Sequence, residues 1–518
     1  MKAQRNMIFL LLLLCLSCRS GLSDFERFIS TNSRFDYHIH NARIMDGTGG
    51  SAYVADLLIR GDSIAYIGEV DSSMIRVKYA YDAKGKVLSP GFIDPHSHGD
   101  PLRNNEFRNF LAMGVTSICL GQDGYHAPVE NLSNWMKEVQ EKQPGVNILP
   151  FVGHATLREM SGIGYSPDPG QKQMDKMISM LNDAFVKGAW GLTTGLEYRP
   201  GFYAKDEELL ELAKVTGDYG RMIMSHVRNE DDDQIENSLR ELIRQGQYCK
   251  VHVSHMKSVY GRGRRRAEKL LGLLDSARLK NVRITADVYP YNASYTGIGI
   301  VFPDWALPPN NFEKIKKEKR YKLEGFLAKK VIKRNGPKAT LFGTPPYAGK
   351  TLEEVAKEKG KSFEKVLIDD IGPSGASAAY FVMNENLQER LLQDPFSMVS
   401  SDGSPTMRHP RGYGSFVKII QTYVLEKYLF SLEEAVYKMT GLTALTLGLE
   451  DRGFIKVGNK ADILIFDPNE LRANATYESP HELATGISAI WLNGKLVMED
   501  NRFVETGNGR VLRAKFKL

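Results

Sequence analysis

Short apolar runs, each the length of a β-strand, recur through the middle of the chain, and each stops at a residue able to bind a cation. The first ends in His96-Ser97-His98, and later ones end at Asp123, His154, Glu197, His226, His255, Asp287 and Asp402. Amphipathic helices lie between them: Met174, Met177, Ile178, Leu181 and Phe185 make one apolar stripe, and Ile235, Leu239, Leu242 and Ile243 another. Strands at 147–152, 189–193, 222–224, 250–253 and 283–286 are therefore expected to run parallel with helices outside. About eight such units close into a barrel. The steps from Glu197 to His226 and from His226 to His255 are both 29 residues, one strand-helix unit. In a parallel barrel all C-terminal strand ends meet at one rim, so residues distant in sequence converge on one centre. Rims are polar in any such barrel. Four imidazoles with Glu197 and Asp402 go further and make a donor set for a divalent metal.

In an extended chain the side chains at i and i+2 point the same way, so His96 and His98 can reach one point beyond a strand end. The spacing alone is weak evidence. His38 and His40 share it, but they sit in an alternating, edge-like strand without acidic or histidine companions downstream, and both read as surface residues.

A chain of 518 residues exceeds one ordinary core and suits a barrel with a smaller companion domain. The expected fold is α/β, a (β/α)8 TIM-like barrel over 89–452 with an insertion at 303–395 rich in Lys, Glu and Gly. Segments 36–88 and 453–518 alternate short strands with glycine turns, including a hairpin about Asn493-Gly494, and should form a small β-sandwich domain from both ends of the chain. The net charge of +6, from 68 basic and 62 acidic residues, argues against a dedicated nucleic-acid protein. Residues 1–18 read as an export signal, with Lys2 and Arg5 before the apolar run 7–14. Ser17-Cys18 resembles a lipoprotein cleavage site, although Cys15 stands where leucine is usual. The protein is thus expected to be exported from a bacterium, periplasmic or membrane-anchored as a lipoprotein. Cys119 and Cys249 are the only cysteines beyond that segment, too few for a disulfide framework, and read as buried thiols.

The motifs PGFIDPHSHGD (90–100), GVTSICLGQDG (114–124), GHATLR (153–158), GLTTGLEYRPG (191–201), SHVRNE (225–230), VSHMKS (253–258), ADVYPY (286–291), SSDGSP (400–405), HPRGYGSF (409–416) and GNKADILIFD (458–467) give the chain its kinship. From residue 37 to the end it resembles the amidohydrolase superfamily, in the N-acyl-D-amino-acid deacylase (D-aminoacylase) branch. The resemblance implies His96, His98, His226 and His255 as metal ligands and Asp402 as both metal neighbour and general acid/base. Glu197 stands where two-metal members carry a bridging carboxylate. The branch typically has Asn-Cys-Gly where this chain has Gln122-Asp123-Gly124, which exchanges a soft thiolate for a hard oxygen. Glu197 is therefore expected to be the bridge, with Asp123 a supporting ligand or an acceptor behind the ligands.

The implied reaction is hydrolysis of an N-acyl-D-amino acid to carboxylate and D-amino acid, with water activated by zinc, two divalent ions being expected. The substrate is a small N-acyl amino acid, and its carboxylate needs a donor at the rim. Arg228, Lys257, Tyr198 and Tyr289 are the candidates. His154 and His409 are expected behind the site or on a nearby loop, His252 on the far side of its strand, and His126 and His481 in no role. A dipeptidase or cyclic-amide hydrolase on the same scaffold, or an inert surface binding lipoprotein, are the alternatives.

Overall fold

The computed structural model describes residues 24–29, 33–127 and 132–515; the expected export segment 1–18 lies outside the described residues. The fold is mixed α/β. Strands β1 (Phe92–Asp94), β2 (Val115–Leu120) and β3 (Asn147–Pro150) form one parallel sheet. After an interruption at Phe151 the chain resumes as Val152–Gly153, which edges a second parallel sheet. That sheet continues through β4 (Gly191–Gly195), β5 (Met222–His226), β6 (Lys250–Val253), β7 (Ile284–Val288) and β8 (Ser397–Val399). The two arcs are pinned at one point beyond their strands: Asp402 N donates to His96 O at 2.9 Å and His98 N donates to Gly403 O at 2.7 Å. Ladder hydrogen bonds among the described residues do not run unbroken round a closed cylinder.

Burial explains why these runs are apolar end to end. Every residue of β2, β4 and β5 is buried, as parallel strands covered on both faces require. Helix Gln171–Val186 turns Met177, Leu181 and Phe185 onto them, with Met174 and Ile178 at the edge of the same core, and Ile235–Gln245 does so with Ile235, Leu239 and Leu242. Cys119 and Cys249 are buried thiols.

Both chain ends build one nine-stranded sheet. Val87–Pro90 is the seam: it pairs antiparallel with Ile463–Phe466 from the C-terminal segment and leads within two residues into β1. Ile39, Leu57, Ile463 and Trp491 share its core, and Tyr37 and Tyr81 meet Trp491 edge-on. His38 corrects the surface reading, because it is buried with Nε2 2.9 Å from Asp56 Oδ2. Asp56 lies on the neighbouring strand, at the register shift between Ile39 and Ala42, and sequence spacing does not reveal that.

The insertion also differs from its expected limits of 303–395. It opens with Ser294–Gly297, which pairs with Ser377–Tyr380, itself paired with Thr340–Phe342. A separate core of Phe302, Leu323, Leu327, Phe342 and Tyr380 fills it. Helix Glu385–Leu392 belongs instead to the main core through Leu387, Leu391 and Leu392. Pairing across some eighty residues leaves no local periodicity to read.

Asp462 ties the sheet of the termini to the parallel strands. It accepts from Arg452 Nη1 (2.6 Å), Asn147 Nδ2 (2.9 Å) and Asn493 N (2.6 Å). Asp462→Ala leaves the buried Arg452 with Asp451 alone and strips Asn147 and Asn493 N of a buried acceptor, and should cost about 1–3 kcal/mol. A clear fall in the denaturant midpoint checks this; an unchanged midpoint refutes it.

Candidate metal centre

The strand ends place the donors, and tight turns aim three of them. His226 is the last residue of β5. His255, Asp123 and Asp402 lie two or three residues beyond β6, β2 and β8 with φ of 36°, 55° and 47°. A non-glycine residue in the left-handed region is strained, and such positions concentrate where side chains must be aimed. Buried carboxylates hold the turns. Asp94 accepts from the backbone N–H of His96 (3.1 Å) and of Ser401 (3.1 Å) and from the Ser401 hydroxyl, so one side chain orients both arcs. Burial pushes its carboxyl up to about 8. Asp287 accepts from His255 N (3.0 Å) and from His252 Nε2 (2.7 Å).

The predicted residues converge. His96 and His255 rings lie 4.6 Å apart between centroids, His226 and His255 4.6 Å, and His96 and His98 5.3 Å. His226 Nδ1 is 3.0 Å from His255 Nε2 and His98 Nε2 is 3.2 Å from Asp402 Oδ1. Asp123 is more central than expected: Oδ1 is 3.3 Å from both His96 Nε2 and His255 Nε2 and 3.7 Å from His226 Nδ1, while Oδ2 is 3.5 Å from His98 Nε2. Glu197 was the expected bridge. It sits at the periphery, with Oε2 3.1 Å from His226 Nε2.

Two overlapping donor groups result, His96-Asp123-His255-Asp402 and His226-Glu230-His255, with the ligand atoms of each within 4.8 Å of one another. Their electrostatics call for a cation. Burial would raise the Asp402 carboxyl, but Arg411, whose Nη1 is 2.8 Å from Oδ2, together with His255 and His98 holds it well below the usual carboxylate range. Burial likewise opposes ionisation of Asp123, and His96 and His255 overcome it. The acids in turn lift His98 to about 9 and His255 to about 10 against burial. Protons on imidazoles thus stand where a divalent ion with neutral rings would stand, and binding one would release them. His96, 0% exposed, leaves both ring nitrogens without a hydrogen-bond partner, as a ligand awaiting an ion would. The residues present fit a metal.

A cavity of about 640 Å³ opens onto this centre and is lined by His98, Asp123, Glu197, His226, His255 and Asp402. Tyr198, Lys257 and Tyr289 line it as expected, joined by Arg411, which sequence reasoning missed. Lys257 Nζ donates to Glu230 Oε1 at 2.6 Å and lies 2.7 Å from His255 Nδ1. Arg228 is a correction. Its guanidinium is spent on Glu241 (2.8–3.1 Å) and on the carbonyls of Phe202 and Ala204, outside the cavity lining. His252, outside the cavity lining, is held by Asp287 (2.7 Å) and Thr285 (2.8 Å). His154 is bound to Glu208 away from the cavity, His126 lines the cavity wall, and His409 accepts from Arg411 N at 3.0 Å.

A family model described as amidohydrolase family matches residues 363–498. The chain is 31% identical to the D-aminoacylase of Alcaligenes xylosoxydans xylosoxydans, over 93% of this chain and 98% of that one. It is 32% identical to the N-acyl-D-glutamate deacylase of the same organism, over 89% and 93%. A crystal structure of N-acyl-D-glutamate deacylase from Bordetella bronchiseptica, complexed with zinc and a phosphonate inhibitor, superposes with a TM-score of 0.80 at 31% identity, covering 93% of this chain and all of that one. This chain belongs to the D-aminoacylase branch of the amidohydrolases. The carboxylate of Asp123 stands among the imidazoles of this centre.

His255 is common to both donor groups. His255→Ala should therefore lower bound transition metal more than His98→Ala or His226→Ala does, by elemental analysis after dialysis. Equal losses in the three variants would count against the shared position.

Proposed function

We propose that this chain hydrolyses the amide of N-acyl-D-amino acids, releasing a carboxylate and a D-amino acid, at a zinc centre on the rim of an eight-stranded barrel formed by the two arcs. The reading rests above all on Asp402, whose carboxylate is held ionised between Arg411 and His98 beside the converged imidazoles. The likeness to a zinc-complexed deacylase supports the metal. His96, His98, His226, His255, Asp123 and Asp402 would hold it, and the two overlapping donor groups support a second ion beside Glu197 and Glu230. A bound divalent ion lowers the pKa of water towards ~7 and polarises the scissile carbonyl.

The chain's own groups do the rest. Asp402 takes the proton from the attacking water and delivers it to the leaving amine, which must depart protonated. Arg411 keeps Asp402 ionised before attack and fixes its second oxygen. Lys257 and Arg411, with the hydroxyls of Tyr198 and Tyr289, face the cavity as donors for the substrate's carboxylate. Both tyrosines are pushed up by burial and so stay protonated donors at neutral pH. For residues 1–18 the supported reading is export, with Cys18 as a candidate acylation site; incorporation of radioactive fatty acid tests it.

The direct test is release of D-amino acids by metal-loaded enzyme from a panel of N-acetyl-D- and N-acetyl-L-amino acids. Release from D substrates is expected, and no release from any of them ends the proposal. Asp402→Asn should lower kcat by roughly 10²–10⁴-fold with metal content near wild type. Lys257→Met should raise KM by about tenfold or more, as loss of a hydrogen bond to a charged group implies; normal kinetics in either variant would remove that residue from its role.

A further inference from the structure

The inserted layer contributes one cation to the catalytic cavity, and that cation lacks a counter-charge. Arg334 ends helix Arg320–Lys333, is 3% exposed and lines the same cavity as Glu197 and Asp402. Its guanidinium lies 4.7 Å from the centroid of the Tyr380 ring. Among the described residues no carboxylate oxygen comes within 4.0 Å of it, and its Nε is buried without a hydrogen-bond partner. The other cations of the cavity are balanced, Lys257 by Glu230 at 2.6 Å and Arg411 by Asp402 at 2.8 Å. Lys330 and Lys333, one turn or less away, share Asp231 at 3.2 and 3.4 Å.

Burying an unpaired ion costs several kcal/mol. A fold keeps such a group in a cavity wall when something that enters the cavity completes it. The guanidinium fork matches a carboxylate, and an arginine supported by an aromatic face is already ordered to receive one. Arg334 and Glu197 line the same cavity.

We infer that Arg334 binds a second carboxylate of the substrate, in addition to the α-carboxylate, so that the preferred substrates are dianionic N-acyl-D-amino acids. This rests on the deacylase reading. The second carboxylate can come from an acidic amino-acid side chain or from a dicarboxylic acyl group. Both present the same chemistry to the guanidinium.

The experiment compares kcat/KM of metal-loaded wild type, Arg334→Met and Arg334→Lys on three substrates. N-acetyl-D-leucine has no second carboxylate, N-acetyl-D-glutamate has it on the side chain, and N-succinyl-D-leucine has it on the acyl group. The readout is the ratio of each dianionic substrate to N-acetyl-D-leucine, which does not depend on how much of a variant is folded. The ratio should fall at least fivefold in Arg334→Met for one dianionic substrate and recover in part in Arg334→Lys. A fall for the glutamate substrate assigns the side chain, and a fall for the succinyl substrate assigns the acyl group. A fall below fivefold for both overturns the inference. Should the wild type hydrolyse none of the three, the deacylase reading fails. Calorimetric binding of glutarate against butyrate then decides Arg334, with loss of glutarate binding alone in Arg334→Met supporting it and parallel behaviour refuting it.

Discussion

Negative charge that cannot leave the rim organises this protein. Half-buried Asp123 and buried Asp402 and Glu230 face the cavity, and neighbouring cations hold the carboxyl of each below the usual carboxylate range. Asp402 answers to Arg411, Glu230 to Lys257, and Asp123 to the imidazoles. Taking such groups out of water is tolerable only when positive charge meets them in good geometry. The parallel strands provide that geometry by bringing eight C-terminal ends together. The strained turns at Asp123, His255 and Asp402 follow from the same demand, since an unstrained continuation of each strand would carry the side chain past the centre.

The positions readable from sequence were those where a donor sits at the end of a regular strand. His96 and His98 follow the i, i+2 rule of an extended chain, His226 and His255 are spaced by one strand-helix unit, and Asp402 stands in the motif SSDGSP. The misreading of Arg228 has a physical origin, which is that alternation stops where the strand stops. Arg228 follows His226 by two residues, but the chain has left the strand, and Glu241 on the next helix captures its guanidinium. Glu230 and Asp94 lie inside motifs that the sequence does display, four residues after one donor and two before another. Their role depends on what they face, and only the fold shows that.

The insertion was visible as an interruption between the last two strands, without its limits or its purpose. Its limits are set by the pairing of Ser294–Gly297 with Ser377–Tyr380, a contact without local signature. Its purpose is tied to the cavity. Ser294, Tyr295, Thr296, Ile300 and Arg334 reach the wall opposite the strand ends. The strand ends and the inserted layer thus line one cavity from parts with separate cores.

Relatives of this chain that differ in the side chain they act on resemble it about equally, at 31% for a D-aminoacylase and 32% for an N-acyl-D-glutamate deacylase. Substrate choice rests on few residues, because one unbalanced guanidinium in a water-poor cavity discriminates a carboxylate from a methyl group more strongly than many apolar contacts do. Lys257 and Arg411 cannot supply that discrimination, since their charges are already answered by Glu230 and Asp402 and they present donors without net attraction for a second anion. The proposed preference for a second carboxylate therefore rests on Arg334, whose Nε is buried without a hydrogen-bond partner in the wall of this cavity.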